Sequence, residues 1–185
     1  RSKPLTVRNP RTTGQVNHRD YFTKVVQLCK ILKTVEGVAK RSSRTGRSPK
    51  MSAYSYLIKA FMNAEDRTSA PYKPIWSNVD LGPGEIGPAT FTTNIDSGSL
   101  YLLWDNTNLP INASANDILV CVIIDWENLE WYIEPSAIKR SAGSNEFVLS
   151  PHFTNTNTAK AVIAFFISPD KTKWSAEFPL LSNIQ

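Results

Sequence analysis

The sequence predicts an α+β protein, with its helices first and its antiparallel β-structure after them. Three observations predict it. Apolar residues recur at three- and four-residue spacing in two stretches, Phe22 to Val35 and Ala53 to Met62. From Ile75 onward the pattern changes to short runs separated by turn-forming clusters: Leu81-Gly-Pro-Gly, Asp96-Ser-Gly, Asp105-Asn-Thr-Asn, Ala142-Gly and Pro169-Asp. Charge divides along the same line. Residues 1–50 hold thirteen Lys or Arg against Asp20 and Glu36, a net of +11, whereas residues 51–185 hold eight basic and fourteen acidic residues, a net of −6.

Residues 1–11 read as an extended basic arm, because Pro4 and Pro10 oppose helix and no apolar stripe runs through them. Thr12 or Thr13 then caps a helix that runs to about Val35. Its stripe is Phe22, Val25, Val26, Cys29 and Leu32, widened by Tyr21, Leu28, Ile31 and Val35, and Gly37 ends it. Residues 40–48 form a basic, polar loop without an apolar side chain. Ser48-Pro49 has the chemistry of an N-cap and first turn for a second helix, which carries Ala53, Tyr54, Leu57, Ile58, Phe61 and Met62 to about Ala64.

The expected strands are 75–80, 88–95, 99–104, 117–125, 129–134, 145–149, 160–167 and 174–178, with a short piece at 137–140 continuing a sheet edge. Residues 118–124 and 161–167 are apolar on both alternating faces, as central strands are. Seven or so short strands in about 100 residues match an immunoglobulin-like antiparallel β-sandwich. The expected division is therefore residues 1–66 as basic arm and helical pair, 67–74 as linker, and 75–185 as sandwich. On this reading residues 70–185 fold alone, while the helices need the sandwich or another subunit to cover their apolar stripes.

The same residues weigh against catalysis. His18 and His152 are far apart and show no metal-ligand spacing with Cys29 or Cys121, which read as buried, reduced thiols. No nucleophile elbow, phosphate loop or dinucleotide fingerprint is present, and no cofactor or metal is implied. Asp125, Glu127 and Glu130 fall around the tip of an expected hairpin, a wet edge that does not keep a carboxyl protonated for acid–base work. No apolar run is long enough to span a bilayer. The sequence opens on Arg1 without an initiator Met or signal-peptide pattern, which fits a processed start or a piece of a longer product.

The run Asn9-Pro10-Arg11-Thr12, followed by Gln15, Arg19 and Phe22, resembles the N-terminal signature of an uncharacterised family encoded by bacteria and some phages. The likeness continues through Arg140-Ser141-Ala142-Gly143-Ser144, Pro151-His152-Phe153 and the run from Ala161 to Ser168. It implies a basic helical N-terminal segment, an immunoglobulin-like C-terminal sandwich and no assigned activity. Occurrence in phages points, by analogy, to a virion or surface-assembly component.

Function is therefore expected in contacts. The leading expectation is a non-enzymatic structural subunit, in a phage virion or at a cell surface, that meets other subunits of a homo- or hetero-oligomeric assembly. Its contact residues for protein or polyanion would be Arg1, Lys3, Arg8, Arg11, Arg19, Lys40, Arg41, Arg44 and Arg47. One alternative is sequence-tolerant nucleic-acid binding through the same residues. Another is carbohydrate recognition on an aromatic platform of Trp104, Trp126 and Trp131.

Overall fold

The computed structural model describes residues 11–35, 37–38, 51–82, 84–96, 98–134, 137–149, 160–175 and 178–182. Helix α1 spans Thr13–Leu32. Thr12 caps it in a capping box, its hydroxyl accepting from the Gln15 N–H while the Gln15 side chain accepts from the Thr12 N–H. Helix α2 spans Ala53–Asn63. Its cap is Ser52, whose hydroxyl accepts from the Ser55 N–H at 3.1 Å, so the start lies nearer the apolar stripe than the expected Ser48-Pro49. Those two residues fall outside the described ones, as does the 40–48 loop.

The chain then forms a short ribbon, β1 (Glu65–Asp66) against β2 (Lys73–Pro74). The expected strand at 75–80 is instead a 3₁₀ turn over Trp76–Asn78. The three-residue interval from Trp76 to Val79 puts both side chains into one core, and the Val79 N–H closes the turn on the Trp76 carbonyl at 3.1 Å. The remaining strands are β3 (Phe91–Asp96), β4 (Ser99–Trp104), β5 (Ile118–Asp125), β6 (Glu130–Glu134), β7 (Ser144–Val148), β8 (Lys160–Ile167) and β9 (Phe178–Ser182). Residues Trp174 and Ser175, expected to open the last strand, make isolated bridges to Ile167 and Ile86, and β9 begins three residues later. The 137–140 piece does continue an edge: Lys139 bridges Ile118, and the Leu119 N–H reaches the Ile138 carbonyl at 2.8 Å.

All named strand pairs are antiparallel, in a three-stranded sheet of order β3-β4-β7 and a four-stranded sheet of order β6-β5-β8-β9. Strand alternation explains how the layers stack. Leu119, Cys121 and Ile123 of β5, with Val162, Ala164 and Phe166 of β8, share a core with Phe91, Leu100, Leu102, Trp104 and Phe147 of the three-stranded sheet. Val120, Val122 and Ile124, with Ala161, Ile163, Phe165 and Ile167, point the other way. They share a second core with Tyr21, Val25, Leu28, Cys29 and Leu32 of α1 and Leu57 and Phe61 of α2. The four-stranded sheet is thus the middle of three layers.

Close approach of the chain after α1 to β8 requires Gly37. Its φ is +84°, and a Cβ there would lie 3.1 Å from Ile167 Cγ2 and 3.2 Å from Phe165 Cε2. An aromatic ladder ties the helical layer to the hairpin turn. Tyr21 packs on Trp126 at 5.4 Å between ring centroids, Trp126 on Trp76 at 6.3 Å, and Trp76 on Phe61 at 6.0 Å. Lys24 reaches from α1 to the carbonyls of Trp126 and Glu127 at 3.2 and 3.1 Å. No described helix is long and apolar enough to cross a membrane.

Candidate functional site

The inter-sheet core is closed at each end of β5 by a buried ion pair. Asp117 precedes the strand and Asp125 ends it, and alternation puts both carboxylates on the inter-sheet side. Asp125 is not at a wet edge, contrary to the expectation for the hairpin tip. It is fully buried, ion-paired with the equally buried Lys160 that faces it across the β5–β8 ladder. Its oxygens also accept from the N–H groups of Glu127 (3.0 Å) and Asn128 (3.1 Å) and from Asn128 Nδ2 (3.0 Å). The carboxylate turns inward because those turn donors and the lysine need an acceptor where water is excluded. Glu127 remains exposed and Glu130 half-buried, so the three acids do not form one cluster at the surface.

At the other end, Arg140 Nε lies 3.5 Å from Asp117 Oδ2, and the guanidinium sits over the Phe166 ring at 4.2 Å. Arg140 Nη2 donates to the Gly87 carbonyl at 3.4 Å, while Nε and Nη1 reach no hydrogen-bond acceptor among the described residues. Burial therefore pulls this guanidinium below the usual arginine value, and the Asp117 carboxylate opposes that shift. Both pairs lie buried at the margins of the inter-sheet core.

The three tryptophans of the expected platform are not brought together. Trp104 is buried between the sheets, its Nε1 donating to the Arg140 carbonyl at 2.6 Å. Trp126 is buried on the opposite side of the four-stranded sheet, under α1. Trp131, on edge strand β6, is 38% exposed. Indoles this large contribute most when buried, and the two cores claim two of them.

An open recess of about 470 Å³ lies at the head of α1, lined by Thr12, Gly14, Gln15, His18, Arg19, Arg67 and Tyr72. Helical spacing gathers the first group: positions 12, 15 and 19 are three and four residues apart. The β1–β2 ribbon brings the second, with Glu65 between the two. The Glu65 side chain is only 2% exposed and is held by His18 Nδ1 at 2.7 Å and by Arg67, whose Nε and Nη2 donate to Oε2 at 2.8 and 2.7 Å. Arg67 and His18 themselves stay 65% and 41% exposed. The buried carboxylate thus restrains both side chains by the edges that face it and leaves Arg67 Nη1 and His18 Nε2 unclaimed by it.

Of the expected basic contact residues, Arg11 and Arg19 are described, and both are exposed. Arg19 lines the recess, and no acidic partner for it occurs among the described residues. Arg1, Lys3, Arg8, Lys40, Arg41, Arg44 and Arg47 lie outside the described residues. Sequence reasoning missed His18, Glu65, Arg67 and Tyr72 as neighbours. The Thr12–Gln15–Arg19 spacing on one helix face was a readable signal. The ribbon residues, some fifty positions away, offered none.

Neither cysteine is in a disulfide and both are buried, Cys29 in the helix-side core and Cys121 between the sheets; burial pushes the Cys29 thiol up to about 12. Among the described residues, no group of three His, Cys, Asp or Glu side chains is placed to hold a metal ion.

Fold and surface together define a three-layer α+β protein with internal ion pairs and an open basic recess beside its first helix. Residues 1–178 match the family described as "Family of unknown function (DUF6266)", and the chain belongs to that family. No curated protein matches it.

Proposed function

We propose that this chain is a non-enzymatic assembly protein that meets acidic surfaces of neighbouring subunits through its basic N-terminal part. The observation that carries this reading is the recess at the head of α1. There, the exposed Arg19 and Arg67 and the half-buried His18 surround one opening, and in sequence Arg19 and His18 belong to residues 1–50, whose net charge is +11. By contrast, the charged side chains Asp117, Asp125, Arg140 and Lys160 are buried inside the fold. Residues 51–185, at −6, provide the complementary sign, so a neighbouring copy is itself a suitable partner.

The finer description we propose for the β-layers is an immunoglobulin-like sandwich. The orders β3-β4-β7 and β6-β5-β8-β9 correspond to A-B-E and C′-C-F-G of that architecture, which supports a displayed or packing module. The setting we propose is a phage particle or a surface assembly, on the strength of the sequence resemblance. With Trp104 and Trp126 in the cores, support for a glycan platform reduces to Trp131.

Sedimentation of the full chain across a salt series tests the reading. Self-association, or binding to an acidic protein, that weakens as salt rises is the expected result. A chain that stays monomeric at low salt and binds no acidic protein refutes it. Gel shift on DNA and RNA at low salt separates the nucleic-acid alternative, which requires affinity falling steeply with salt.

A further inference from the structure

We infer that the recess at the head of α1 is a carboxylate-binding site that takes an aspartate or glutamate side chain of an acidic peptide segment. The inference rests on the assembly reading and names the group that the basic end would engage.

The argument starts from Glu65. A carboxylate that is 2% exposed, accepting from one edge of Arg67, its Nε and Nη2, and in contact with His18 Nδ1, acts as an internal anchor for both side chains. An arginine held by its Nε and Nη2 is restrained, so its remaining Nη1 donors face away from Glu65 at reduced entropic cost. Arg19 adds a second guanidinium on the same opening, and Tyr72 a phenol. Gly14, in the first turn of α1, also lines the recess, and a Cβ there would lie 3.5 Å from the Tyr72 hydroxyl, in ordinary contact.

Charge selects among anions. Two arginines against one buried glutamate leave a net of +1, with His18 adding a further charge only when protonated. That balance matches a singly charged carboxylate better than a doubly charged phosphate. Planar donors of the guanidinium type suit the planar two-oxygen edge of a carboxylate. The recess is lined by one helix end and the residues about one ribbon, with two arginines among them, whereas a polyanion needs a track of cations along its backbone.

The test uses the intact chain and three probes: acetyl-Gly-Glu-Gly-amide, its Gln counterpart, and inorganic phosphate. The chain has only two histidines, so the ring signals of His18 are assignable by comparison with His18→Asn. The expected result is a saturable shift of the His18 signals with the Glu peptide and none with the Gln peptide. Arg19→Gln and Arg67→Gln each weaken that binding by about tenfold, in line with the loss of one charge-assisted contact. Arg19 makes no described contact that the fold needs, so its variant stays folded and keeps the test decisive. A His18 response to phosphate with the Glu peptide silent overturns the assignment, as does unchanged peptide affinity in Arg19→Gln. Peptide binding by a chain that never assembles keeps the site and removes the assembly reading. Assembly without peptide binding removes the site and keeps that reading.

Discussion

Deleting residues 1–66 strips both helices from the outer face of the four-stranded sheet. Six large apolar side chains, Val120, Val122, Ile124, Ile163, Phe165 and Ile167, are buried there against the helical layer. Each is worth roughly 1.5–3 kcal/mol when taken fully out of water. Neighbours on the sheet would still cover about half of each, so the loss is on the order of 5–9 kcal/mol. A whole domain of this kind is stable by only about 5–15 kcal/mol. Tyr21 and Phe61 also leave the aromatic ladder, which exposes Trp76 and Trp126. The packing therefore predicts that residues 67–185 alone are molten or aggregate, contrary to the expectation from strand patterns that residues 70–185 fold by themselves. The assay is near-ultraviolet circular dichroism with thermal melting of the fragment, accompanied by dye binding to exposed apolar surface. A cooperative melt close to that of the full chain, without dye binding, would refute the reasoning.

Three further outcomes follow from named contacts. Lys160→Met should destabilise by about 3–5 kcal/mol in urea unfolding, because Asp125 would stay buried without its cation. Adding Asp125→Asn should recover part of that loss, and a single-variant cost below about 1 kcal/mol would contradict the pair. Native Cys29 and Cys121 should react with a disulfide reagent only as fast as the protein unfolds, since both are buried and the Cys29 thiolate is disfavoured by burial; rapid labelling of the folded chain would count against the core assignment. Asp170 is held by Ser168 and Thr172, which lower its carboxyl from 3.8 to about 2. A depressed folded value means the contribution is present above the unfolded value and is lost as pH falls through the folded one. A small loss of stability between pH 3.8 and about 2 should therefore disappear in Asp170→Asn, and identical acid titrations of the two proteins would exclude it.

Local pattern made several elements legible. The Thr12 cap and strands β4, β5, β6 and β8 all lie within a residue or so of where spacing and turn chemistry put them, whereas α1 ends at Leu32 and its expected stripe residue Phe22 is 44% exposed. Double-sided apolarity in β5 and β8 identified them as central strands. The residues between Ile75 and Asp80 were misread because a three-residue apolar interval in a short segment fits either a 3₁₀ turn or an irregular strand. Of the recess, the α1 side was readable and the ribbon side was not.

What the sequence determined by itself was the order of helices and strands, the basic and acidic division, and which strands are central. These follow from contacts within a few residues, where backbone period and side-chain polarity suffice. Only the tertiary structure decided what covers the second face of the central strands, since a double-sided apolar strand is equally satisfied by a helix or a sheet. It also decided that Asp125 points inward to Lys160, that Trp104 and Trp126 lie on opposite sides of one sheet, and that Glu65 and Arg67 meet His18. Those pairings join residues from about 35 to about 50 positions apart, or separate ones that strand alternation would allow together. Burial energy depends on the partner across the layer, and no local pattern carries that information.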